Sequence, residues 1–230
     1  MINETKVFFE TIGLEMNKEK SATNCLSCSE DAQLLEGHQG YKYLGTIKNL
    51  ASIVMEETIN KIKAEMIKRT EALCATKLNA KNLFKAINEH AISVINYHVG
   101  VLKLEPDDFV KIDKEIRKVL ISNKIHLQPS CKERLYLPRE LLGRGLQSIE
   151  HKSECMLHQL NETLEASKLV SLRRAAILKV EKDCKSHLYL INGFLKAKYP
   201  LTDEKVTLKA LHKMQINLLY SDINSKALHR

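Results

Sequence analysis

The chain has 230 residues, 44% hydrophobic and 28% charged, a composition that excludes an intrinsically disordered polymer. With only 8 Gly, 4 Pro and no Trp, long helices are favoured over a many-turned β-sandwich. The net charge of +8 is uneven: residues 1–45 hold 4 basic and 7 acidic groups, residues 46–160 hold 19 and 14, and residues 161–230 hold 13 and 7.

In chain order, Asn3 to Ile12 reads as a short helix, capped by Asn3, with Val7, Phe8 and Ile12 inward and Gly13 ending it. Ser21 to Cys28 reads as a strand and the polar stretch Ser29 to Gly40 as a loop. Tyr41 to Ile47 alternates as a strand should. From Asn49 the period becomes helical, with Ile53, Ile59, Ile62, Met66, Ile67 and Leu73 recurring to about Leu78. A second helix opens at Asn79 or Ala80, with Leu83, Phe84, Ile87, Ala91, Val94 and Ile95 inward, and ends near Gly100. Pro106-Asp107-Asp108 starts a third, whose inner face is Phe109, Ile112, Ile116, Val119 and Leu120. Residues 122–147 break the pattern with Pro129, Pro138, Gly143 and Gly145. Within them Lys124, Lys132, Arg134, Arg139 and Arg144 interleave with Leu135, Tyr136 and Leu137. Helical sequence resumes at Ser148 and runs, with interruptions, to Ala197; Pro200 ends it, and Thr202 or Asp203 caps a last helix through Leu219. The fold class expected is mainly α (α+β).

Met1-Ile2-Asn3-Glu4 has neither a basic n-region nor an apolar h-region, and no apolar stretch approaches bilayer length. The six cysteines (25, 28, 74, 131, 155, 184) are scattered as reduced intracellular thiols are, not as a disulfide framework. The basic later regions point to a polyanion, against the plainer reading of an ordinary basic surface.

Four local patterns occur in order. They are Gly13-Leu14-Glu15-Met16-Asn17-Lys18-Glu19-Lys20-Ser21; Tyr41-Lys42-Tyr43-Leu44-Gly45; Ala86-Ile87-Asn88 to Ala91-Ile92, running to Tyr97-His98-Val99-Gly100; and a long block. That block runs from Ile112-Asp113-Lys114-Glu115-Ile116-Arg117-Lys118 through His126 and Pro129 to Glu133-Arg134-Leu135-Tyr136-Leu137-Pro138-Arg139 and Gly143-Arg144-Gly145-Leu146. Over roughly residues 3–152 the series resembles the reverse transcriptase of non-LTR, LINE-type retrotransposons, nearest the clade with a restriction-like endonuclease. One position departs: where the family has a Gly pair before Arg-Gly-Leu, Leu142 precedes Gly143.

The resemblance implies a palm remnant with a primer-grip hairpin (residues 1–47), a helical thumb (48–121), a basic linker block (122–152) and C-terminal helices (153–230). By resemblance, Lys20 lies near the phosphates of the incoming nucleotide, and Tyr43, Leu44 and Gly45 near the primer end. The thumb packs on template–primer RNA or DNA, with Lys132, Arg134, Tyr136, Arg139 and Arg144 as the expected nucleic-acid contacts. The plainer alternative makes Leu135 and Leu137 core anchors and pairs the arginines with Glu133 and Glu140.

Polymerisation needs two divalent metals, Mg2+ in the complete enzyme, held by palm carboxylates that lie upstream of the first motif in the family. No cofactor is expected in this chain, and a longer chain would supply the missing palm and fingers. Asp107-Asp108 follows Pro106 at a helix start and reads as capping, not as a catalytic pair. Cys25 and Cys28 have metal-knuckle spacing with His38 nearby but no second pair, so they read as incidental thiols of a strand; His126 and Cys131 are half a site at best, and no metal site is expected. The leading expectation is a template–primer-holding fragment of an RNA-directed DNA polymerase. The alternative is a domesticated helical protein that binds nucleic acid or protein, and a decayed relic stands third. A palm remnant would expose apolar surface within residues 1–47, whereas a domesticated protein would have covered it.

Overall fold

The computed structural model describes the chain except residues 1, 16, 24, 27–29, 31, 36–38, 44–45, 49–55, 129, 201–205 and 228–230, and the side chains of residues 2, 3, 43 and 227. It is mostly helical, and among the described residues it holds nine α-helices and two small sheets, as the composition leads one to expect. The expectations placed on Leu44, Gly45, Cys28, His38, Pro129, Thr202 and Asp203 lie outside the described residues. The chain forms two compact units, Met1–Asn60 and Lys61–Arg230. Residues 61–121, 122–152 and 153–230, set apart in the sequence, thus share one unit.

In the first unit, α1 (Ile2–Thr11) contains Asn3 instead of being capped by it, and Gly13 ends it at φ +74°, a left-handed turn that glycine adopts without strain. The face predicted to point inward is exposed: Val7 62%, Phe8 60% and Ile12 51%. Strand β1 is only Ala22–Thr23, shorter than expected, and it pairs in parallel with β2 (Gln33–Leu34), which lies in the stretch read as loop. A two-residue strand carries no detectable alternation, so neither boundary was legible. Strands β3 (Tyr41–Tyr43) and β4 (Thr46–Lys48) form an antiparallel hairpin, with Tyr43 opposite Thr46. The buried Thr58 hydroxyl accepts from the Ile47 N–H at 2.8 Å and so ties β4 to the first turns of α2 (Glu56–Cys74).

In the second unit, α2 buries Ile62, Met66, Thr70 and Cys74, one residue per turn. Helix α3 (Ala80–Ala86) is capped by Asn79, whose side chain accepts from the Asn82 N–H at 3.0 Å. It continues as a widened π turn, Ile87–Ala91, and then a tightened 3-10 segment, Ile92–Tyr97. The widened turn swings Asn88 toward the later block. Its amide donates to the Gly145 carbonyl (2.8 Å) and its side-chain oxygen accepts from the Gln147 N–H (2.9 Å).

Helix α4 (Pro106–Ser122) follows its prediction closely. Pro106 opens it, the Asp108 carboxylate accepts from the Glu105 N–H at 3.3 Å, and all five expected apolar residues are buried. Then come α5 (Glu133–Tyr136), α6 (Ile149–Ser167), α7 (Leu172–Asp183), α8 (His187–Lys198) and α9 (Leu208–Ala227). The resumed helical stretch is therefore three helices, with Ser171 and Ser186 capping the second and third. Helix α6 is the hub, packing on α4, α7, α8 and α9. Its Ile149, Leu157 and Leu164 meet a core that includes Ile191, Leu195 and Leu211. No helix among the described residues is long and apolar enough to cross a membrane.

The start of α6 is held by another helix. Asp113 of α4, 4% exposed, accepts from the Ser148 hydroxyl (2.7 Å) and the backbone N–H groups of Ile149 (2.9 Å) and Glu150 (3.1 Å). A carboxylate suits the positive end of the helix dipole. Burial nevertheless pushes the Asp113 carboxyl up to about 6, against those three bonds and the Arg117 charge, which pull it down. Between about pH 4 and 6 the folded chain therefore keeps a proton that the unfolded chain has lost, and stability from this group falls as pH rises through that window. In urea denaturation, wild type minus Asp113→Asn is expected to decline by up to about 3 kcal/mol from pH 4 to 6.5, at about 1.4 kcal/mol per pKa unit. A difference independent of pH would refute the assignment.

Candidate functional site

The basic block is folded back on itself. After α4, Lys124 adopts φ 57°, and the Ile125 and His126 N–H groups both donate to the Leu120 carbonyl (2.9 and 3.1 Å). In α5, Glu133 and Leu135 turn inward (both 2% exposed), as does Leu137, while Arg134 faces out. Pro138 leads into a 3-10 turn, Arg139–Leu141, and Leu142 reverses the chain at φ 60° with its side chain 84% exposed. The returning strand of chain then pairs with the outgoing one. Arg144 N–H donates to the Arg134 carbonyl (2.8 Å), Gly145 to Leu137 (2.9 Å) and Leu146 to Leu135 (2.9 Å).

Those bonds set Arg144 beside Arg134. Both arginines, with Lys124, Lys132 and Lys226, line one open cavity of about 890 Å³ that also takes in His126 and Cys131. Beside the cavity Glu133 accepts from Lys226 (2.6 Å) and the Cys131 thiol (3.1 Å) and lies 3.6 Å from Lys132. Burial pushes the Glu133 carboxyl up, but the bonds from Lys226 and Cys131 outweigh it and hold the group below the usual carboxylate range. His126 is lowered by burial and then by the Arg117 and Arg144 charges, so the neutral imidazole is favoured.

The predicted residues therefore separate. Lys132, Arg134 and Arg144 converge on the cavity; Arg139 is exposed on the turn outside its lining. Among the described residues none of the three arginines has a carboxylate partner, so the pairing with Glu133 and Glu140 does not form. The core-anchor half of that alternative does hold for Leu135 and Leu137. Tyr136 faces elsewhere. Its hydroxyl accepts from Arg117 at 2.5 Å, that guanidinium lies 5.8 Å from the ring centroid, and burial raises the phenol well above its ordinary value. Its ring lines a second, less polar cavity with Asn88, His151 and His212. Lys20 is exposed at the end of a 3-10 turn of the first unit, its N–H bonded to the Asn17 side chain (3.1 Å). Tyr43 is the last residue of β3.

Sequence reasoning missed Ile223 and Lys226, which reach the cavity because α9 runs past the predicted end at Leu219. No local signal pairs Lys226 with Glu133, 93 residues earlier. Among the described residues no cluster of three or more His, Cys, Asp or Glu is placed to hold a metal ion. No protein-family model, curated protein or solved structure matches this chain.

Proposed function

We propose that the chain holds template–primer nucleic acid, as the thumb of a LINE-type reverse transcriptase does, and belongs to a polymerase whose catalytic carboxylates lie elsewhere. The observation that carries this reading is the convergence of five basic residues on one cavity whose lining, among the described residues, contains no acidic side chain, with Glu133 bonded to Lys226 beside it. Phosphates neutralise such a cluster and release counterions on binding. The exposed apolar side chains of α1 favour a piece of a larger polymerase over a self-contained binding protein, in which they would be covered. Arg117 and Tyr136 act as a strut under the block, leaving Arg134, Arg139 and Arg144 as the groups that meet phosphate.

The triple variant Arg134→Ala/Arg139→Ala/Arg144→Ala is expected to bind an RNA–DNA hybrid roughly 100-fold more weakly at low salt. Its log Kd against log salt should flatten by about 0.9 for each phosphate that the variant no longer neutralises. All three residues are exposed, so the thermal midpoint should stay within a degree or two of wild type. Equal affinity and equal salt slope in the two proteins would end this reading.

A further inference from the structure

Resting on that reading, we infer that the C-terminal helix α9 is one wall of the anion site, and that a strand phosphate enters between Lys226 and the Arg134–Arg144 pair. Helix α9 packs directly on α5, which carries Arg134, and contributes Ile223 and Lys226 to the cavity lining. The Lys226 ammonium has three donors, and among the described residues it bonds Glu133 alone. Its side chain is 54% exposed, so the remaining donors face the cavity and solvent while the buried carboxylate fixes the amine in place. Glu133 thus acts as a positioning residue: it holds Lys226 and lies beside Lys132, while among the described residues Lys124, Arg134 and Arg144 have no carboxylate partner.

Two further details fit a site built for an anion. Lys124 closes the C-terminus of α4 in a left-handed backbone conformation, and that helix ending brings the residue into the cavity lining. The backbone bond between Arg144 and Arg134 puts two basic residues on adjacent runs of chain, both in the cavity lining, where one phosphate could meet both.

The cavity carries its own reporter. Cys131 lines it and is half-buried, whereas Cys184, at the end of α7, is exposed and outside it. In the full chain, a short RNA–DNA hybrid is expected to slow iodoacetamide alkylation of Cys131 several-fold and leave Cys184 unchanged, as read by peptide mass spectrometry. Inorganic phosphate at the same phosphate concentration should not protect; equal protection would replace the strand phosphate by a free anion. Lys226→Ala is expected to weaken hybrid binding about 3- to 10-fold and to flatten the salt slope by about 0.9, while Lys226→Arg retains both. Because Lys226→Ala strips a partner from buried Glu133, Ile223→Glu is the companion variant. It sets a repelling charge on the same wall without touching Glu133, and it should also weaken binding. Wild-type affinity in Lys226→Ala and in Ile223→Glu, beside a weakened arginine variant, would remove α9 from the site and leave the proposed function standing. Wild-type affinity in all of them would remove both.

Discussion

Gly143→Ala is expected to destabilise the second unit by at least about 3 kcal/mol, with a matching drop in the urea midpoint. A Cβ at this position would stand 1.9 Å from the Leu137 carbonyl oxygen, 2.3 Å from its carbon and 2.5 Å from the Leu137 Cβ. Every one of those atoms is backbone or rooted in it, so the clash is relieved only by opening the fold-back. Opening it breaks the bonds from Gly143 to Pro138, Arg144 to Arg134, Gly145 to Leu137 and Leu146 to Leu135. Each contributes roughly 1 kcal/mol net, and Leu135, Leu137 and Leu146 become uncovered with them. The same opening separates Arg134 from Arg144, so hybrid binding should fall with stability.

The neighbouring residue behaves oppositely. Leu142→Gly relieves about 1–2 kcal/mol of left-handed strain and adds about 0.5–1 kcal/mol of unfolded-chain entropy, a net gain of between zero and about 1.5 kcal/mol. Packing is unaffected, because the leucine is 84% exposed. An unchanged midpoint in Gly143→Ala would mean that the block does not fold back as described.

Glu154→Ala is expected to cost about 3–5 kcal/mol, the range for removing one partner of a buried ion pair. Glu154 is 2% exposed and accepts from the Lys198 ammonium (2.6 Å), the Tyr199 hydroxyl (2.8 Å) and the Gln215 amide (2.8 Å). It therefore joins α6 to the end of α8 and to α9. Burial pushes the Lys198 amine down, but Glu154 and Glu150 more than reverse this and hold it above its ordinary value. Without Glu154 the Tyr199 hydroxyl loses its acceptor, the Gln215 amide is left with the His151 carbonyl, and among the described residues the ammonium keeps only Glu150. The double variant Glu154→Leu/Lys198→Met removes the charge together with its partner and should cost less than the two single changes combined. Strict additivity in a double-mutant cycle would show that Glu154 and Lys198 do not interact.

Much of the second unit was legible locally. The Asn79 cap, the Pro106–Asp108 start and the inner face of α4 are all short-range signals, and each appears where the residues place it. In the first unit the same signals misled. Val7, Phe8 and Ile12 have helical spacing, yet nothing covers that face among the described residues, because periodicity reports which side is apolar and not what packs on it. Strand β2 was missed because two residues cannot show a period.

By itself, the sequence determined the helical class, the starts of α3 and α4 and the excess of positive charge, since these depend on composition and on residues a few positions apart. The tertiary structure alone decided which charges share a site. It turned Tyr136 onto Arg117, set Arg144 against Arg134 through a left-handed Leu142, and brought Lys226 to Glu133 across the length of the second unit. Such juxtapositions are settled by the packing of α5 and of α6 against α9, a property of the whole packed unit that no local spacing records.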